Sequence, residues 1–250
     1  MNKELEEKLS RLPDKSRNMI IDFTEDLVKA FEGRLYSFIL FGSAAGKNFI
    51  AGKSDINTMI ILDDVTMTDL EVIMEIGQRY AKKGLAVPLI FEKGHVVSSL
   101  DTFPIEFSDM KQRHILLFGA DPLENAVIEQ KNLRYQCERE FKSMVVNLRR
   151  GFLRTEGKRE KIEALLDESL ASVLAACRGM IWMADKTPPD DISDLLRMII
   201  EIYKTDTSAI DRVWRLHQGQ SGATALLEAL FEDYKNNLTD LAAVADGLEG

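Results

Sequence analysis

Two stretches, Phe38-Ile-Leu-Phe-Gly-Ser43 and Lys53-Ser-Asp-Ile-Asn-Thr-Met-Ile-Ile61, decide how this sequence is read. Leu35–Phe41 and Ile56–Leu62 are short runs of aliphatic and aromatic residues, the composition of buried strands. Between them, Gly42 to Ser54 is small and polar with three glycines, which predicts a loop or a loop with one helical turn. Gly42 lets the chain turn sharply and lets a phosphate approach the backbone amides, and the Ser43 hydroxyl can donate to that phosphate. Asp55 stands at the mouth of the second strand, where a carboxylate can hold a Mg²⁺ that bridges phosphates. Strand alternation puts Asp55 and Asn57 on one face and Ile56 on the other. Two oxygen ligands so spaced suit a metal site for phosphoryl transfer. Taken alone, a Gly-Ser turn and a capping Asp are ordinary loop chemistry. What lifts the pair above that is its placement between two strong strands.

Outward from this centre, Asp14 to Glu32 repeats apolar residues at helical spacing (Met19, Ile20, Phe23, Leu27, Phe31), and Gly33 follows as a stop. Thr66 or Thr68 can cap a helix running to about Lys83. Leu85–Phe91 reads as a third strand near a sheet edge, because Pro88 cannot donate to a ladder. Pro104–Ser108 reads as a fourth, brief strand. His114–Phe118 is strand or helix on periodicity. From about Pro122 onward only helical patterns occur, over about 122–155, 159–185, 191–203, 208–217 and 223–246. Mixed elements followed by helices alone predict two domains, 1–120 and 121–250. The expected fold class is thus α/β (α+β), a small mixed sheet joined to an all-helical bundle.

Composition narrows the functions. A formal net charge of −9 argues against broad non-specific nucleic-acid binding, which wants a basic face. It leaves room for a nucleotide whose phosphates a metal or a local basic loop neutralises. With 45% hydrophobic and 29% charged residues, the chain has an ordinary globular balance. No apolar run approaches the roughly 18 residues of a membrane helix, and the charged N-terminus has no apolar signal core. A cytoplasmic protein with no membrane partner is expected. Cys137 and Cys177 lie far apart in helical patterns and read as buried, reduced thiols. The histidines share no spacing with cysteine, so no zinc site is expected.

Gly42-Ser43, the gap that follows and Asp55 together resemble the signature of the DNA polymerase β-type nucleotidyltransferase superfamily. That signature is an apolar residue, Gly, Gly or Ser, a gap, then Asp-x-Asp or Asp-x-Glu. Here eleven residues separate Ser43 from Asp55, and the second acid is replaced by Asn57. The resemblance implies that Gly42 and Ser43 hold the tail of a nucleoside triphosphate and that Asp55 and Asn57 hold Mg²⁺. Asparagine offers one neutral oxygen, so a second ion would bind weakly. The family also has a third carboxylate on a neighbouring strand. Glu106, in Phe103-Pro-Ile-Glu-Phe-Ser108, is the candidate for this third metal ligand and for the base; Asp109 and Glu92 are rivals. That segment is similar to the corresponding strand of aminoglycoside-modifying adenylyltransferases.

The helical half resembles the bundles that accompany such domains, of the kanamycin nucleotidyltransferase and HEPN kinds. Arg212-Val-Trp-Arg-Leu-His217 has the spacing of a HEPN ribonuclease motif but lacks the polar residue after the arginine. A structural Arg and a helix-terminal His are the better reading. Lys47 and Lys53 share the Gly42–Ser54 loop; Lys53 is taken as a phosphate contact, against the plainer reading of solvated lysines. Lys111, Arg113 and His114 could touch phosphate, with surface charge as the default. The resemblance implies a nucleotidyltransferase-like protein moving a nucleoside monophosphate to an acceptor hydroxyl, the acceptor expected at the domain interface. The alternative is a silent nucleotide- or partner-binding module, which Asn57 favours. A homodimer is compatible with the exposed helical faces.

Overall fold

The computed structural model describes residues 2–46, 49–52, 54–220 and 227–248. The chain folds as two compact units. The first comprises 1–100 and 109–127, and the second comprises 101–108 and 128–250.

The first unit begins with helices α1 (Asn2–Lys8) and α2 (Asp14–Ala30) and strand β1 (Leu35–Phe41). A single 3₁₀ turn, Gly42–Ala45, follows β1. Strand β2 (Asn57–Leu62), helix α3 (Met67–Ala81), strand β3 (Leu89–Glu92) and helix α4 (Lys93–Ser98) come next. Helix α5 (Pro104–Gln112) runs along the chain from one unit into the other, and strand β4 (His114–Gly119) completes the sheet. The order is β3-β2-β1-β4. β1 lies antiparallel to β2 and β4, whereas β2 and β3 are parallel, so the sheet is mixed. The segment holding Pro88 leads into an edge strand, as a residue without an N–H requires.

Phe38, Leu40, Ile60 and Leu62 on β1 and β2 share one core with Phe23 and Leu27 of α2 and with Ile73 and Ile76 of α3. Phe23 meets Phe38 edge-on with ring centroids 5.5 Å apart and tilts against Tyr80 at 5.3 Å. Ile39, Met59 and Ile61, in register on the other face, are also fully buried. Both faces of the central pair are covered, so the open groups of the sheet lie at its ends and edges. Thr66 caps α3 in a reciprocal box: its side chain accepts from the Asp69 amide, and the Asp69 carboxylate accepts from the Thr66 amide.

The second unit holds α6 (Gln130–Thr155), α7 (Arg159–Met183), α8 (Ile192–Tyr203), α9 (Ser208–His217) and α10 (Leu227–Gly247) around one core that includes Phe141, Leu166, Cys177 and Tyr234. Both cysteines are free and buried, and desolvation pushes the Cys177 thiol up to about 12. Such a thiol is inert at neutral pH. Among the described residues no helix is long and apolar enough to cross a membrane.

Pro104–Ser108 departs from expectation: it is helix, not strand. Pro104 occupies the first helical position, where a missing N–H costs nothing, and Glu106 falls in the first turn, where the helix dipole favours an acid. Ile105, Phe107, Ser108 and Met110 are all buried. Over five residues, apolar alternation and a helical stripe look alike, and that ambiguity misled the sequence reading.

Candidate active site

The site is set by how β1 and β2 end. Phe41 pairs with Asn57, so the chain leaving β1 turns directly beside the start of β2. Gly42 makes that turn at φ 73°, in the left-handed region. A side-chain carbon built on Gly42 would lie 3.4 Å from Asn57 Nδ2, so the turn and the strand mouth are in contact distance. Ser43 sits in the first turn of the 3₁₀ segment, and its carbonyl accepts from the Gly46 amide at 3.1 Å. Its hydroxyl bonds to no other described residue.

The loop returning to β2 is closed by two bonds: Ser54 N donates to the Ile50 carbonyl (2.8 Å) and Ile50 N donates to Ser54 Oγ (3.0 Å). Ile56 is buried, donating its amide to the Gly84 carbonyl at 2.9 Å and accepting from the Ala86 amide at 3.1 Å. These bonds fix the mouth of β2, and Asp55, one residue earlier, is exposed. Its carboxylate has no hydrogen bond or ion pair with another described residue. Asn57 is half-buried beside it. Gly42, Ser43, Asp55 and Asn57 therefore occupy one corner of the sheet. Lys53, with Lys47, lies outside the described residues.

Two further groups border this corner. Phe41 also pairs with His114 across β4, so Asn57, Phe41 and His114 form one row across three strands. His114 Nδ1 is 2.8 Å from the Met110 carbonyl, and Nε2 is 3.0 Å from Asp121 Oδ2. Arg113 is ion-paired with Asp109, and its Cδ lies 3.7 Å from a side-chain carbon built on Gly46. The sequence reading left Arg113 and His114 as surface charge by default. Both are largely buried, at 13% and 14% side-chain exposure, and Arg113 lies against the glycine turn. The signal that could have found them is the strand assignment of 114–118, which would have set this pair beside β1.

Glu106 stands differently from the expectation that put it on a strand facing Asp55. It belongs with the second unit, on α5. Its carboxylate accepts from Gln136 Nε2 at 2.8 Å, while Gln136 Oε1 accepts the Ile105 amide at 2.8 Å. Gln136 thus clamps the first turn of α5 and orients Glu106. Strand alternation no longer aims this acid. Its rival Asp109 is engaged by Arg113, and Glu92 ends β3.

Among the described residues no three His, Cys, Asp or Glu side chains gather as a metal-binding group. The corner offers a divalent ion the Asp55 carboxylate and the Asn57 carboxamide. That donor set suits one Mg²⁺ that arrives on a triphosphate and keeps phosphate oxygens and waters as its other ligands. It does not suit a two-ion centre, which needs more carboxylate charge.

In the helical unit, Arg212 is ion-paired with Asp233 at 2.6 Å, and His217 Nδ1 is 2.6 Å from Asp167. Trp214 stacks on His217 with centroids 5.4 Å apart. Each polar group of the suspected ribonuclease motif is tied to a separate carboxylate, which is a structural arrangement.

No protein-family model matches the chain, and no curated protein matches its sequence. Among solved structures it is similar to the spectinomycin adenyltransferase AAD(9) of Enterococcus faecialis, crystallised with ATP and spectinomycin. The TM-score is 0.56 over 89% of this chain and 98% of that one, at 13% identity. The fold is that of a nucleotidyltransferase. At that identity the likeness speaks for architecture and not for reaction. Within the nucleotidyltransferase fold, the β1 turn and the β2 mouth are the parts of this chain that carry the superfamily-like residues.

Proposed function

We propose that this chain is a nucleotidyltransferase-like protein that binds a nucleoside triphosphate with its magnesium ion at the β1–β2 corner. One observation carries the reading: the Phe41–Asn57 pairing sets the Gly42-Ser43 turn against a strand mouth whose Asp55 is exposed and unengaged by other described residues. An exposed acid beside a phosphate-sized turn has no structural duty that explains it. In this reading the turn amides and the Ser43 hydroxyl donate to the triphosphate tail. Arg113 and Lys53 add positive charge. Asp55 and Asn57 hold the magnesium ion, which neutralises phosphate charge when bound.

Transfer, if the chain performs it, needs little more than positioning. An acceptor hydroxyl oxygen attacks the α-phosphorus, and its proton passes to Glu106. The bond from the α-phosphorus to the bridging oxygen breaks, and pyrophosphate leaves. The neighbour solved with ATP and spectinomycin supports ATP as the first nucleotide to try and spectinomycin as the first acceptor.

A second reading, a silent nucleotide-binding module, is favoured by Asn57 and by the single carboxylate at the corner. Thermal unfolding with ATP and Mg²⁺ tests binding. A ligand at 100 times its dissociation constant should add about 2.7 kcal/mol of stability. No shift at saturating nucleotide would contradict both readings. Release of pyrophosphate with label transfer to the acceptor separates enzyme from silent module.

A further inference from the structure

α3 has two apolar faces, and the fold uses one. Asp69, Ile73, Ile76 and Tyr80 point inward. On the outside, Met67, Leu70, Met74, Gly77 and Ala81 follow one another at alternating steps of three and four residues. That is the spacing of a helix seam. Met67 is 70% exposed and Met74 58%. Between this seam and the segment 85–90 at the sheet edge runs a groove of about 240 Å³, lined by Leu70, Met74, Gly77, Ala81, Val87 and Pro88 among others. Exposed Val87 and Leu89 extend the apolar area, and such contiguous patches mark interaction surfaces.

Gly77 is the telling residue. A glycine inside a helix is destabilising relative to alanine, and a side-chain carbon built here meets nothing within 4 Å. Neither backbone geometry nor internal packing calls for it. Its effect is to leave the groove open.

We propose that this seam joins two copies of the chain, with the two α3 helices antiparallel across a two-fold axis. The seam is self-complementary in size. Its large residues (Met67, Leu70, Met74) lie in the first half of the helix, and its small ones (Gly77, Ala81) in the second. An antiparallel pairing sets Met74 opposite Gly77 of the partner subunit and Leu70 opposite Ala81 of the partner subunit, and then the reverse, as an isologous contact demands. The charges run the same way. Exposed Glu71 and Glu75 sit in the first half, and Arg79, Lys82 and Lys83 at the far end. Arg79 is held by Asp26 and Lys83 lies over the Tyr80 ring, so Lys82 is the freest of the three. Antiparallel helices bring acidic half to basic half, and parallel ones would set like against like. The proposal does not depend on nucleotide binding.

Sedimentation equilibrium of the full chain tests it. The wild type should associate as a dimer, and Leu70→Glu should raise the dissociation constant about 30-fold or more, the loss expected of a central contact. Gly77→Leu fills the groove and should do the same. Leu is a better helix former than Gly, so an unchanged far-UV spectrum shows that the helix stands. A Met74→Cys/Gly77→Cys chain should oxidise to a covalent dimer, the native cysteines being buried. A chain that stays monomeric at every concentration, as it would if a different protein fills the groove, overturns the proposal. So does a dimer that tolerates both substitutions.

Discussion

The two ends of the β1–β2 pair are made from similar residues and have opposite electrostatic states. At the end where Leu35 pairs with Leu62, Arg34 meets Asp64 and Asp69. The Asp69 carboxylate accepts from Arg34 Nη1 at 2.9 Å and Nη2 at 2.8 Å, and from the Thr66 amide and hydroxyl at 2.8 and 2.7 Å. The Arg34 guanidinium, followed by Thr66, holds this acid well below the usual carboxylate range. At the other end, where Phe41 pairs with Asn57, Asp55 has no described partner. A satisfied carboxylate contributes to stability, while an unsatisfied one in a fixed position is available to a ligand. The contrast teaches that burial and saturation, not residue type, separate the structural aspartate from the candidate functional one.

Four substitutions can break or sharpen this contrast. Asp55→Ala should weaken ATP–Mg²⁺ binding by about 100-fold, or roughly 2.7 kcal/mol, with unfolding stability unchanged within about 0.5 kcal/mol. Calorimetric titration and denaturant melts read the two effects. Gly42→Ala forces a side chain into the left-handed region and toward Asn57. It should cost about 1–2 kcal/mol of stability in urea unfolding and weaken nucleotide binding as well.

Asn57→Asp restores the second acid. It should tighten the Mg²⁺ dependence of ATP binding by about tenfold, near 1.4 kcal/mol. Transfer gained by this variant would identify a decayed enzyme. Thr66→Ala acts at the saturated end and should cost about 1 kcal/mol with nucleotide affinity unchanged. Its cost has a pH signature. Thr66 helps depress the Asp69 value, so the stability it lends is fully present above the ordinary carboxylate value near pH 4 and fades as pH falls through the folded value of Asp69. Urea melts of both proteins from pH 7 down to about pH 3 should show the gap narrowing.

Much of this architecture was legible in the chain because its signals are local. β1 and β2 are runs of one composition, Thr66 and Asp69 announce a cap, and Pro88 marks an edge. The helical half is punctuated at Gly157, at Lys186-Thr-Pro-Pro and at Thr205 to Ser208, and α6 to α9 end or start near those breaks. What failed was short and context-dependent. Pro104–Ser108 became a helix because Gln136, far along the chain, binds its first turn. α4 is six residues long and α1 seven, too brief for a periodic signal. At the site, Gly42, Ser43, Asp55 and Asn57 were readable since neighbouring strands carry them. Arg113 was not, because its approach to Gly46 follows from β4 lying beside β1, a pairing no local pattern states.

The central claim is that the Asp55 corner grips a magnesium-bearing triphosphate. Its most direct test is a calorimetric titration of ATP into the wild-type chain and into Asp55→Ala, each with Mg²⁺ and with EDTA. The account predicts saturable binding to the wild type that requires Mg²⁺ and is lost in the variant. Equal binding by both proteins, or none by the wild type, would contradict it.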